Sequence, residues 1–370
     1  MAVSIRPAVV LAALLTLTLA EYAPAIVTGQ FVYEDESAIL DTVVQGHAPI
    51  APLRSRALTR LSYRLDNAIG HGQPWAFHMT NVLLHLANGL LVWVIAGRLG
   101  LALTGRAIAT GLFLCHPLQV EAVAYAAGRT EVLSTTAILC ALWLVLRPRR
   151  DYWIWCGPTR TRIALTIGCC LAAFSAKESA VCVLGLLVAY ASVYEPTWIG
   201  SHRMRWALGI LLVSAAGLTA TVLHFDHFAV ADGSRLGYAA LQAVAVWRYL
   251  GMILVPIGQS VDHDFVRAPI WLRWVALYWL VCVAALIALA WPLREGTALS
   301  PRMTLAVFGG AWVLIALLPR LVMRIPEVLN EHQMYLAMVG IAWAVGAALD
   351  HVPATYPRIA HPYPEIPYVF

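Results

Sequence analysis

MTNVLLHLANGLLVWVIAGR, residues 79–98, decides what kind of protein this is. At 1.5 Å per residue the run covers a bilayer's ~30 Å of hydrocarbon, and it ends in Arg98, a cation suited to a membrane surface. Its polar residues Asn81, His85 and Asn88 recur three to four positions apart and so share one helical face. That face is expected to pack on protein rather than lipid, with His85 as an interhelical hydrogen-bonding residue. The rest of the chain is of the same kind. Of its 370 residues 61% are hydrophobic and only 12% charged, against ~25% charged in soluble domains; mean hydropathy is +0.73. The reading is all-α: one polytopic membrane domain, 1–350, of about ten or eleven spans. A tail, 351–370, rich in Pro and Tyr and without helical period, is expected to lie disordered in the cytoplasm.

Working outward, segment 7–28 behind Arg6 is the first span. Val9–Ala20 followed by Ala23-Pro24-Ala25 also fits a signal peptide, but a retained span agrees with the spans that follow. Next comes FVYEDESAIL, 31–40, with Glu34, Asp35 and Glu36 in succession. Adjacent carboxylates at a bilayer surface suit a general base or a metal ligand, or merely an acidic first helical turn. LRSRALTRLSYRLDNAIG, 53–70, sets Leu53, Ala57, Leu61 and Leu65 at period four beside Arg54, Arg56, Arg60 and Arg64, the pattern of a helix lying on a membrane surface. Arginines there also suit phosphate, through their fork of donors.

Further spans are expected at 107–124, 132–147, 161–176, 179–194, 206–224, 272–292, 303–319 and 334–349. Segment 237–256, interrupted by Arg248, either spans or re-enters. Arg147, Arg149 and Arg150 mark the cytoplasmic side. Parity then returns three other stretches to the face of Glu34–Glu36: HPLQVEAVAYAAGRTE (116–131), Ser175-Ala176-Lys177-Glu178, and LPRLVMRIPEVLNEHQMYL (318–336). Lys177 is the only lysine of the chain. Of the acids, only Asp151, Glu195, Glu295, Asp350 and Glu365 fall on the opposite face, and Glu21 alone approaches mid-membrane depth. A charge-rich outer face over an apolar bundle suits an enzyme working at that surface. A secondary transporter would concentrate ionisable groups near the midplane. Two His/Asp groupings, His224-Phe225-Asp226-His227 and Asp262-His263-Asp264, suit a metal by residue type alone. The net charge of +5 does not suggest nucleic acid, and the seven cysteines lack metal-like spacing.

FVYEDESAIL, RALTRLSYRLD, FHMTNVLLHLANGLL, HPLQVEAVAYAAGRTEVLS, SAKES and NEHQMYLAMVG follow one another in an order that resembles the membrane domain of the transmembrane-and-tetratricopeptide-repeat O-mannosyltransferases, of the GT-C glycosyltransferase class. The resemblance covers about 28–349, and HPxxxEAVAYxxGR is its most specific piece. It implies a GT-C-like bundle in a bacterial inner membrane, with a long first extracytoplasmic loop carrying surface helices. It also implies inverting transfer of a sugar, mannose, from a polyprenyl-phosphate donor to a protein Ser/Thr hydroxyl. On that resemblance Asp35 is the base, supported by Glu34 and Glu36. Arg129, Lys177, Arg320 and Arg324 hold the donor phosphate, while Glu121, His116, Glu331 and His332 bind sugar or acceptor. No particular cofactor follows, since the class contains metal-dependent and metal-independent members; Asp262, His263 and Asp264 are the metal candidates.

Two departures bear on this. Glu34 stands where the family often has an aspartate, and no tetratricopeptide repeats follow the last span, so the acceptor is not carried over. A GT-C enzyme acting on a glycolipid or envelope polysaccharide, a lipid-linked-sugar transporter and a non-catalytic paralogue are the alternatives.

Overall fold

A computed structural model describes residues 6–32, 35–39, 44–47, 56–146, 159–194, 235–260, 263, 300–322 and 328–350. Among them the helices, in order, are α1 (Pro7–Thr28), α2 (Asp35–Ile39), α3 (Ala57–Gly70), α4 (Pro74–Leu99), α5 (Leu103–Cys115), α6 (Val120–Ala124), α7 (Arg129–Val145), α8 (Thr159–Ala176), α9 (Cys182–Tyr194), α10 (Arg235–Leu254), α11 (Pro301–Val322) and α12 (Met334–Leu349). No strand occurs among the described residues. The protein is an all-α membrane helix bundle.

Length and apolarity qualify Pro7–Thr28, Pro74–Leu99, Pro301–Arg320 and Glu331–Leu349 to cross a membrane, and α5 with Pro117–Ala124 makes a fifth span if that 51° bend lies within one crossing. The bend follows from Pro117, which lacks the N–H a continuous helix needs; His116 steps in, its Nδ1 accepting from the Leu118 N–H at 3.2 Å. Helices α7, α8, α9 and α10 stand where spans are expected but do not reach that length or apolarity. Expected spans 206–224 and 272–292, and the tail 351–370, lie outside the described residues.

Small residues let the helices meet backbone to backbone. A Cβ on Gly309 of α11 would lie 2.5 Å from the Gly340 carbonyl of α12, and one on Gly346 would lie 2.6 Å from the Gly105 carbonyl of α5. Around these contacts Phe308, Trp312 and Trp343 pack ring on ring. The shared face of α4 turns inward as its spacing predicts: Asn81, His85 and Asn88 are all fully buried. His85 Nε2 faces the Leu114 carbonyl at 3.0 Å and must therefore carry the proton, so Nδ1 accepts from the Tyr335 hydroxyl at 2.8 Å. That hydroxyl in turn accepts from Asn88 at 3.0 Å. The chain of bonds ties α4, α5 and α12 in one register.

At one end of the bundle Asp350 takes the Ala102 and Gly105 N–H groups that open α5 (2.8 and 3.1 Å). At that same end Arg162 donates to the last carbonyls of α7. The acidic turns gather at the other end.

Helix α3 differs from its reading in one respect. The described helix begins at Ala57, and Leu53 lies outside the described residues. Its polar side is the packed one: Thr59 donates to the Ala176 carbonyl (3.0 Å) and Tyr63 to the Ala126 carbonyl (2.7 Å). Leu61, Leu65 and Ile69 face outward, 41%, 56% and 66% exposed. An outward apolar stripe flanked by Arg60 and Arg64 is the arrangement that suits a bilayer surface.

Candidate active site

The turn Tyr125–Gly128, between α6 and α7, is the hub. Gly128 sits so close to the Ala122 carbonyl that no Cβ fits there. Three side chains from other elements grip the turn. Asn81 donates to the Tyr125 carbonyl (2.7 Å), Tyr63 to that of Ala126, and Asp35 Oδ1 accepts the Ala127 N–H at 2.7 Å. Oδ2 of Asp35 accepts the Val32 N–H at 3.2 Å. The carboxylate is fully buried. Burial pushes its carboxyl above the usual aspartate range, while the N–H groups of Ala127, Val32 and Ala126 and the nearby His78 pull it back. Each oxygen keeps a second lone pair, so Asp35 retains acceptor capacity. Glu36, next along α2, is exposed, and Glu34 lies outside the described residues.

Glu121 and His332, 211 positions apart, form a pair across α6 and the turn before α12: Glu121 Oε2 accepts the His332 N–H (2.9 Å) and Oε1 faces Nδ1 at 2.6 Å. The adjacent Glu331 is 3% exposed. It accepts the Ser260 N–H at 2.9 Å and faces His263 Nε2 at 3.1 Å. Tyr125, half-buried, stands among Glu121, Asp35 and Glu331; burial first, and then these three charges, raise its phenol above the ordinary tyrosine range. Sequence reasoning quoted Tyr125 within its motif without singling it out, although an aromatic at the end of α6 beside a turn was the available signal. His116 binds inward, Nε2 to the Ile253 carbonyl at 3.1 Å. Its two ring nitrogens thus hold protein backbone, and no direction is left in which it takes a sugar hydroxyl in this state.

The four cations nominated for phosphate fall in different places. Arg129 is fully buried at the first residue of α7, where a positive charge opposes the helix dipole. It survives there because everything around it accepts: Asp66 as ion partner, Asn81 Oδ1 and the Phe77 carbonyl at 2.7 Å each, Ser62 at 3.3 Å, and the Tyr63 ring face at 4.7 Å. Thr80 braces Asp66 at 2.8 Å. Each of the three guanidinium nitrogens of Arg129 thus meets a protein acceptor. Lys177, by contrast, has one acid partner, Glu131, and retains 14% side-chain exposure. Burial draws its ammonium below the ordinary lysine range, Glu131 resists, and Arg56 and Arg320 deepen the fall. Arg56 itself bonds Glu178 at 3.3 Å with its side chain 51% exposed. Three cations therefore crowd one corner. Arg324 lies outside the described residues, as do Asp262 and Asp264. Among the described residues no three metal-ligating side chains cluster.

Comparison with known proteins adds to this geometry. The chain is 31% identical to Protein O-mannosyl-transferase TMTC3 of Homo sapiens over 180 residues, 43% of this chain and 19% of that protein. Against Protein O-mannosyl-transferase Tmtc1 of Drosophila melanogaster it is 33% identical over 45% of its length and 21% of the relative's. Against Tmtc2 of the same fly the identity is 34%, over 42% and 18%. Over that stretch it is similar to the TMTC proteins. The chain spans about a fifth of the length of these curated relatives. No protein-family model matches it, and no solved structure matches it significantly.

Proposed function

We propose that the protein is a membrane O-mannosyltransferase that moves mannose from a polyprenyl-phosphate donor to a protein Ser/Thr hydroxyl at the extracytoplasmic face, with inversion at the anomeric carbon. The observation that carries this reading is the meeting of two unlike groups at one end of the bundle: carboxylates around Tyr125, and cations around Lys177. The chemistry needs both. The acceptor oxygen attacks the anomeric carbon as the carbon–oxygen bond to phosphate breaks. The hydroxyl proton passes to a carboxylate, and the bonding pair leaves with the lipid phosphate. Asp35 is the base, with Glu34 and Glu36 beside it on the first loop. Lys177 and Arg320, with Arg324 on the same segment, meet the charge that develops on the departing phosphate, fixed positive groups being most effective where charge appears. Glu121 and Glu331, oriented by His332 and His263, hold sugar hydroxyls. Arg129 keeps the hub in place and does not touch the donor.

The test compares wild type with Asp35→Asn in membranes given radiolabelled polyprenyl-phosphate-mannose, label being separated into protein, lipid and free-sugar fractions. Transfer to protein falls about 10²–10⁴-fold in the variant. Protonated Asp35 cannot take the hydroxyl proton, so the wild-type rate falls as pH drops through its raised value, and that acid limb sits above the usual aspartate range. A folded Asp35→Asn protein with full transfer removes Asp35 from this role; label in lipid or polysaccharide alone replaces the acceptor.

A further inference from the structure

Helix α3 is bounded at both ends by a non-glycine residue in the left-handed region, Arg56 at φ +60° and His71 at φ +50°. Glycine would adopt either conformation without strain, so each position retains an ionisable side chain against the backbone's preference. Between them the residues facing the hub recur every three to four positions and lie one above another on a single face. Arg56 and Thr59 meet the turn around Lys177 and Glu178. One turn on, Tyr63 holds the Ala126 carbonyl beside Asp35. Two further turns bring Asn67 and His71, which line an open groove of about 630 Å³. Its other walls are Phe31, Gln45 and, from α2 itself, Glu36 and Ile39. Along α3 the order is therefore cations, base, groove. Group transfer requires that order: leaving phosphate, reacting centre, acceptor.

We infer that this groove binds an extended segment of the acceptor polypeptide and presents its hydroxyl toward Asp35; the inference rests on the transferase reading above. The groove lies on the far side of the base from the Lys177 cations, so it is placed for the acceptor and not for the donor phosphate. Because α2 is five residues long and carries Asp35 together with two groove walls, whatever lies in the groove passes within one helical turn of the base. The side-chain chemistry matches a peptide. Gln45 and Asn67 each carry an amide donor and acceptor, as a peptide group does, and Phe31 and Ile39 supply an apolar floor for alternate side chains. Glu36 and His71 line the same groove and offer an acceptor and an imidazole to polar side chains.

Two variants test this without disturbing the helix end. His71→Gly removes the imidazole and leaves a residue at ease with positive φ. Asn67→Ala keeps the carbonyl that caps the helix, since His71 and Gly72 donate to the Asn67 backbone oxygen. The full chain in lipid nanodiscs is given polyprenyl-phosphate-mannose and threonine peptides randomised around the acceptor residue. The expected result is an acceptor KM raised about tenfold in each variant, with donor KM within about twofold of wild type, a loss of the size of one or two hydrogen bonds. Unchanged acceptor KM in both variants overturns the groove assignment. Mannose transferred by wild type to lipid or polysaccharide but never to peptide overturns the polypeptide occupant. Release of no mannose from the donor, even into water, removes the transferase reading itself and this inference with it.

Discussion

Arg129 and Lys177 were nominated for the same role: each is a cation at the outer edge of an expected span, with a glutamate one or two positions on. The fold treats them as opposites. Arg129 is enclosed by Asp66, Asn81, Phe77, Ser62 and the Tyr63 ring, and each of its three nitrogens meets an acceptor. Lys177 keeps one acid and is pressed by two more cations, Arg56 and Arg320. A buried cation whose nitrogens all meet acceptors holds structure together, whereas several cations crowded at one corner are a place where an added anion lowers the energy. The surroundings, not the residue type, separate the two.

Mutations can break this contrast. Arg129→Ala has the largest effect. It strands Asp66 in the core, costing about 3–5 kcal/mol, so folded protein and its melting temperature in detergent should drop steeply. Arg129→Met with Asp66→Leu should recover most of the loss, because a well-packed apolar pair replaces the ion pair at little cost. Equal loss in the single and double variants would mean that Arg129 acts through something other than Asp66. Lys177→Met comes next: the protein should fold, yet mannose transfer should fall about 100-fold, the scale of one lost charge-stabilising donor. Unaltered turnover would demote the cationic corner to a surface ion cluster. Arg56→Gly is the smallest and the most discriminating. The ~1–2 kcal/mol of left-handed strain released should outweigh the ~0.4–1 kcal/mol that glycine's looser unfolded chain costs, so stability should rise by less than about 1 kcal/mol, while losing one exposed cation should raise donor KM only about two- to fivefold. A stability gain without any donor effect would leave Arg56 outside the site.

How much of this was legible beforehand depends on the range of the interaction. Helices α1, α4, α11 and α12 stand within a few residues of their expected bounds, since apolar period and terminal arginines are local signals. The burial of Asn81, His85 and Asn88 could be read from spacing for the same reason. The gathering of Glu121, Glu331 and Asp35 at one end followed from parity. Their partners did not, because His332 meets Glu121 across 211 residues, and no sequence period links α6 to the start of α12. The partners of Arg129 were not legible because they come from α3 and α4, and Tyr125 was passed over because its environment is made by three acids from separate segments. The outward stripe on α3 was seen as apolar, but which side packs on the protein depended on Thr59 and Tyr63 finding carbonyls in α8 and in the Tyr125–Gly128 turn.

That stripe has a practical consequence. Among the described residues Leu61, Leu65 and Ile69 are left exposed, so the helix joining the Lys177 corner, Asp35 and the groove is backed on that side by whatever apolar phase surrounds the molecule. Lipid is in that sense a structural component of the proposed catalytic end. Exchanging it for a detergent micelle changes the support of α3 before it changes any residue of the site, and turnover numbers should be compared only between preparations that give this helix the same bed.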